Sequence, residues 1–190
     1  MFEMERFVEP CRAGLRESAL EVAVRDVVGQ AMARPGDVER ALGTPTLGQV
    51  TTLHHSPDLT ILNVIWAPGM AIYPHDHRMW AVIGLYGGRE DNVFYRRTAQ
   101  GLEAVGGKPI ETSGVALLGP SIIHAVTNPL RQFTGAIHVY GGDFFGVARS
   151  EWDPQTLEER PYDVARARQV FKDANDRWLA QAGAARAEGA

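Results

Sequence analysis

Cysteine is almost absent. Cys11 stands alone, so no disulfide can close within the chain and a disulfide-stapled secreted scaffold is excluded. A reducing, cytoplasmic location is the expectation that follows. Basic charge is not in excess either: 19 Lys and Arg face 23 Asp and Glu, for a net charge of −4. That balance offers no field for phosphate and argues against nucleic acid and anionic membranes as partners. No apolar run approaches the ~18 residues of a membrane span. The opening MFEMERFVEP carries acidic side chains and no apolar stretch, so it does not read as a secretory signal. Internal repeats and long linkers are missing too. With 45% hydrophobic and 22% charged residues, the expectation is one soluble domain able to bury a sizeable core.

Three textures divide the chain. Over 1–44, Leu15, Leu20, Val24, Val27, Val28, Ala31 and Met32 recur at three- and four-residue intervals, which predicts an amphipathic helical region over 5–34. Pro35-Gly36 stops it, and a short helix follows at 37–42, capped by Asp37 and ended by Gly43. Over 45–150, short runs rich in Val, Ile, Thr and Tyr alternate with Pro, Gly and Asn signals. Nine candidate strands fall there: 51–54, 59–66, 70–75, 80–86, 92–97, 102–106, 114–118, 123–128 and 134–140. That pattern predicts a mainly β, jelly-roll barrel, whose exposed strand edges are compatible with a homodimer. Over 151–190 the helical period returns through Val164, Ala167, Val170, Phe171, Ala174, Trp178 and Leu179, with a small-residue tail over 182–190 expected to fray.

The chemistry concentrates in the stretch over 69–88, GMAIYPHDHRMWAVIGLYGG. His75 and His77 stand two apart on a strand, so both imidazoles project to one face while Asp76 points the other way. Pro74 is tolerated at the start of such a strand, and Trp80-Ala81-Val82-Ile83 carries it inward. Two imidazoles aimed at one point suggest a metal. His124, after GVALLGPSII and before AVTNP, can supply a third nitrogen from a neighbouring strand.

This arrangement resembles the two motifs of the cupin superfamily. The first runs from Gly69 through five residues to His75-Asp76-His77 and then Gly88; the second is Gly114, Pro120, His124 and Asn128. The interval from Pro120 to His124 is one residue short, and Ile122 stands where a Gly is usual. Arg78, Met79, Trp80, Ala81 and Val82 offer no carboxylate at the place where many cupins carry one. An all-imidazole site is similar to that of the thiol dioxygenases, of which cysteine dioxygenase is the best known. Trp66, nine residues before His75, and His138-Val139-Tyr140 agree with that resemblance, as do helices preceding the barrel. The family's Ser two residues before the His of that His-x-Tyr is Ala136 here, and the Cys that some members crosslink to the Tyr falls at Val82. No Arg stands in TPTLGQVTTLHHSPD, where the family's carboxylate-binding Arg would fall.

The resemblance implies a cupin double-stranded β-helix and a mononuclear iron(II) enzyme that oxidises a small thiol, other than cysteine, to a sulfinic acid with O2. His75, His77 and His124 are its expected metal ligands. Three neutral imidazoles leave the charge of a divalent cation uncancelled, and that cation deprotonates a bound thiol. Tyr140 is the expected catalytic donor, oriented by His138. Arg78, Trp66, Tyr73 and Trp80 are the expected substrate contacts, Arg78 because it adjoins His77. His54 could take the place of the missing Arg. Glu90, Asp91 and Asn92, after Gly87-Gly88, read as hairpin-turn residues. A different metal-dependent cupin enzyme, ring-cleaving or isomerising, and a non-catalytic small-molecule-binding cupin are the alternatives.

Overall fold

A computed structural model describes residues 2–99 and 101–188. Two antiparallel sheets face each other. One has five strands in the order β1-β2-β9-β4-β7, the other six in the order β11-β10-β3-β8-β5-β6. The strands are β1 Gln49–His55, β2 Thr60–Trp66, β3 Ala71–Asp76, β4 Ala81–Gly87, β5 Arg89–Thr98, β6 Gly101–Glu111, β7 Val115–Leu118, β8 Ile123–Thr127, β9 Thr134–Tyr140, β10 Ser150–Trp152 and β11 Glu159–Pro161. The barrel is a double-stranded β-helix, with helices α1 Met4–Gly14, α2 Leu20–Met32 and α3 Pro35–Leu42 before it and α4 Val164–Glu188 after it. Each of the nine expected strands is present. β10 and β11, three residues each, are too short to leave a periodic signal.

Alternation along β2, β4 and β9 explains both layers of the core. Leu62, Val64, Trp66, Ala81, Ile83, Leu85, Ala136 and Tyr140 line the barrel interior. Their neighbours Ile61, Ile65, Val82, Ile137 and Val139 point outward and are covered by Val24, Val28 and Met32 of α2. Both faces are buried, so β2 reads as a continuous apolar run in place of an alternating one. Gly84 lets α2 approach: a Cβ there would lie 2.5 Å from Val28 Cγ1 and 2.8 Å from Met32 Cγ.

The helical region expected over 5–34 is two helices, broken over residues 15–19, where Arg16 and Glu17 donate back to Ala13 and Gly14 in single turns. The helix expected at 37–42 begins earlier, because Pro35 occupies the first turn of α3, where its fixed φ and missing N–H suit the helix. The tail expected to fray over 182–190 is helical through Glu188; its Ala-rich composition favours helix strongly. Gly189 and Ala190 lie outside the described residues. No helix among the described residues is long and apolar enough to cross a membrane.

α4 lies across the barrel mouth and is held there by polar anchors. The fully buried Glu151 accepts from Arg166 Nη1 at 2.9 Å and from the backbone N–H of Asp163 at 3.0 Å. Asn175 exchanges two hydrogen bonds with Gly48, at 2.7 and 2.9 Å. Phe171 stacks on Trp66 with centroids 5.6 Å apart.

Candidate metal centre

β8 lies between β3 and β5, and register sets His75 directly opposite His124. The pair therefore faces the same side of the sheet. His77, just past the end of β3, completes the group. His77 Nε2 lies 3.2 Å from His75 Nε2 and 3.4 Å from His124 Nε2. The three ligand atoms lie within 4.8 Å of one another, and all three residues are buried. Among the described residues no Cys, Asp or Glu joins the group.

The outer nitrogens fix which atoms face inward. His75 Nδ1 bonds the Tyr73 carbonyl at 3.0 Å and His124 Nδ1 bonds Asn92 Oδ1 at 2.8 Å. Both partners only accept, so both Nδ1 atoms carry the proton and both Nε2 atoms turn bare lone pairs toward His77. A neutral His77 can satisfy one of them at most. Extra protons are opposed: burial pushes His75 down to about 4, against a small upward pull from the Tyr73 carbonyl. Burial also drives His77 and His124 well below the ordinary value, with the neighbouring imidazoles adding to it. Converging, desolvated lone pairs short of donors are what a divalent cation satisfies, so the three residues fit a metal ion. Nothing in the donor set selects which one.

Two expected outcomes follow from this arrangement. Because Asn92 orients His124, Asn92→Ala lowers metal affinity about 10- to 100-fold, the usual range for such supporting groups, as read by competition with a chelator. In the metal-free protein the pKa of His75 falls on folding from 6.5 to about 4, so below pH 6.5 the unfolded chain binds more protons than the native one. Stability is therefore full above pH 6.5 and drains as pH falls toward 4, by about 3 kcal/mol for His75 alone. Urea melts between pH 8 and 4 check this; a flat midpoint contradicts it.

Beside the trio runs a second polar chain. Tyr140 packs against His77 with ring centroids 5.0 Å apart, and its Oη lies 3.0 Å from His138 Nδ1. His138 Nε2 lies 3.4 Å from Glu90 Oε1, an electrostatic approach without a hydrogen bond, and that oxygen accepts from Trp66 Nε1 at 2.6 Å. Glu90 is wholly buried. A carboxylate on the Nε2 side favours the proton there, leaving Nδ1 to accept from the Tyr140 hydroxyl. Burial pushes the Tyr140 phenol above its ordinary value, so it stays protonated.

The reading of Glu90, Asp91 and Asn92 as turn residues is corrected: all three are in β5, with Glu90 and Asn92 buried facing inward and Asp91 pairing with Arg89 outside. Two inward positions of β5 are polar, which erases the apolar alternation by which a strand is recognised.

A cavity of about 660 Å³ opens onto the trio. His75, His77, His124, His138, Tyr140 and Trp66 all line it. Arg78, Tyr73 and Trp80 do not. Arg78 adopts φ +57° and turns outward to Asp76, at 2.7 Å. Tyr73 contributes its carbonyl to His75, while its ring packs near Tyr162. Trp80 has the outward parity of Val82 and lies over Gly141, among the residues packed with the N-terminal helices. His54 bonds Ser56 instead of lining the cavity. Two arginines do line it, Arg168 on α4 and Arg149, which sequence reasoning missed. Its guanidinium sits 4.0 Å from the Phe144 ring and 4.1 Å from Tyr162, it donates to the Phe144 carbonyl, and its Nε is buried without a partner. β10 brings it in by pairing with β3, Glu151 opposite His75.

No family model matches the chain. Among solved structures it is similar to an RmlC-like cupin family protein from Methanocaldococcus jannaschii, at 9% identity over 53% of this chain and 84% of that one, with a TM-score of 0.45. A cupin superfamily protein from Desulfitobacterium hafniense matches at 14% identity, over 54% and 86%, with a TM-score of 0.43. A cupin 2 conserved barrel domain protein from Leptotrichia buccalis matches at 15% identity, over 54% and 45%, with a TM-score of 0.43. These neighbours are cupins. Their descriptions name no reaction.

Proposed function

We propose that the protein is a mononuclear iron(II) thiol dioxygenase, converting a thiol and O2 into a sulfinic acid. The observation that carries this reading is an all-imidazole trio with the His138–Tyr140 pair packed against it and no carboxylate in the group. His75, His77 and His124 would hold the ion. Iron(II), when bound, supplies the redox chemistry with O2 and makes the thiol acidic. The overall reaction, RSH plus O2 giving RSO2H, balances without a further reductant.

The chain's own residues do the rest. Arg149 lines the cavity with its Nε buried and partnerless, and its fork suits an oxyanion such as a substrate carboxylate. Tyr140 holds a proton beside His77 and can direct it to a polar atom of the reacting group, while His138 and Glu90 orient that hydroxyl. Trp66 and Phe171, stacked on each other, keep water from one wall.

Purification without added metal, followed by metal analysis and oxygen-electrode assays over a thiol panel with identification of the sulfinate, tests the reading. Iron content with thiol-dependent O2 uptake is expected. No iron and no uptake with any thiol contradict it. Arg149→Ala is expected to raise KM for carboxylate-bearing thiols at least tenfold and to spare neutral ones; an equal effect on both removes Arg149 from that role.

A further inference from the structure

The cavity is far larger than a small thiol needs. At about 660 Å³ it holds the volume of some 20 waters at ~30 Å³ each, within the usual ~300–1,000 Å³ range of sites for drug-sized ligands. It is also long. Val164, Ala167, Arg168, Phe171, Asn175 and Leu179 of α4 all line it, at the three- and four-residue intervals of a single helix face. Fifteen rises of 1.5 Å from Val164 to Leu179 make that stripe about 22 Å long.

Polarity is unevenly spread along it. The inner end holds the trio, Tyr140 and Arg149, whose charge acts on both His75 and Tyr140. The walls beyond are mainly apolar, with Leu62, Val64, Trp66 and Phe171, while α4 adds the polar Arg168, Lys172, Asn175 and Asp176 along its side. Leu47, Val50 and Leu179 stand at the far end, and Phe145 and Val164 at the end beside Phe144 and Arg149, each between 41% and 55% exposed. They are five of the nine exposed large hydrophobic side chains among the described residues. Exposed apolar surface gathered along one groove marks a binding site, whereas single scattered residues would mark nothing.

From this polarity and length we infer that the substrate is a thiol with a long apolar body, its sulfur and any oxyanion at the inner end and its body lying along α4 to the Leu47, Val50 and Leu179 mouth. The inference rests on the thiol reading for its head group and on the groove alone for its tail. A cysteine-sized substrate leaves most of these apolar walls against water; an extended one removes that water from both surfaces.

Titration calorimetry of the metal-free full chain with straight-chain carboxylates from butanoate to dodecanoate, below micelle-forming concentrations, reads the groove without the reaction. Affinity is expected to rise about two- to fourfold per methylene, the upper figure corresponding to ~0.8 kcal/mol per buried CH2. Val50→Asp and Leu179→Asp, both at exposed positions, are expected to flatten that rise for the longest members. Oxygen uptake by the iron-loaded protein with alkanethiols of two to ten carbons is expected to show kcat/KM climbing with length. Flat affinity across the carboxylates overturns the inference, as does preference for the shortest thiol. So does a dimer that light scattering shows to be broken by Leu179→Asp without any length dependence. Length-dependent binding with no thiol-dependent uptake upholds the groove and removes the thiol reading, so the two failures are distinguishable.

Discussion

His124→Ala abolishes tight metal binding and, with it, thiol-dependent O2 uptake. The expected loss in affinity exceeds 100-fold, beyond the ~10–100-fold typical of a supporting group, because a coordinating nitrogen itself is removed. The substitution also leaves Asn92 Oδ1 without its 2.8 Å partner and opens a void at a residue that is 1% exposed. Some stability is therefore lost on both counts. His77→Ala provides the control for that: His77 Nδ1 carries no such anchor among the contacts described, yet its Nε2 sits between the other two. Both variants are expected to lose metal while far-UV circular dichroism stays native. Retention of wild-type metal affinity by either contradicts the three-imidazole assignment.

Glu90→Gln is expected to lower kcat 10- to 100-fold while leaving metal affinity within a few-fold of wild type. Gln keeps the shape of the side chain and can still accept from Trp66 Nε1. What changes is charge: Oε1, which accepts from Trp66 Nε1, is also the oxygen 3.4 Å from His138 Nε2, so the amide oxygen that keeps the Trp66 bond faces His138 as a neutral dipole in place of a carboxylate. The pull that holds the His138 proton on Nε2 weakens, and with it the preference for Nδ1 as the acceptor from Tyr140 at 3.0 Å. The Tyr140 hydroxyl is then held less firmly, and proton transfer to or from a positioned group is typically worth 10²–10⁴-fold. Tyr140→Phe should cost at least as much, and the double variant little more than the worse single one, since residues acting as a unit are not additive. Additive losses would make Glu90 a structural residue only. Glu90→Ala is uninformative by comparison, because it strands Trp66 Nε1 in the core.

The trio was legible in the sequence because its signals are local. His75 and His77 stand at strand spacing behind Pro74, and His124 lies in a later Gly- and Pro-punctuated strand of the same texture. The barrel was legible for the same reason: nine apolar runs are bounded by turn residues. The substrate wall was not. Arg78 adjoins His77 in the chain, but a left-handed φ of +57° turns its half-exposed side chain to the buried Asp76 and away from the cavity; adjacency is not direction. Trp80 follows the parity of Val82 and not that of Ala81, so counting from the inward Ala81 and Ile83 would have placed it outside. Glu90 and Asn92 escaped because a strand whose inward positions are polar has no apolar period. Arg149 precedes the three-residue strand β10, and only the pairing of that strand with β3 brings it near the trio.

Glu90 also bears on a departure noted at the sequence level. Ala136 stands where the resembled family has a Ser beside its His-x-Tyr, yet His138 is not left without support, because a wholly buried carboxylate approaches it from β5. The polar chain from Trp66 through Glu90 and His138 to Tyr140 runs across three strands, β2, β5 and β9. No spacing rule within one strand could have found it.

X-ray absorption at the iron edge of the loaded protein, before and after addition of a turnover-competent thiol without O2, tests the central claim most directly. Imidazole scattering from three histidines in the resting protein, joined by a sulfur ligand once the thiol is added, is the expected result. A coordination sphere completed by a protein carboxylate, or one that gains no sulfur, contradicts it.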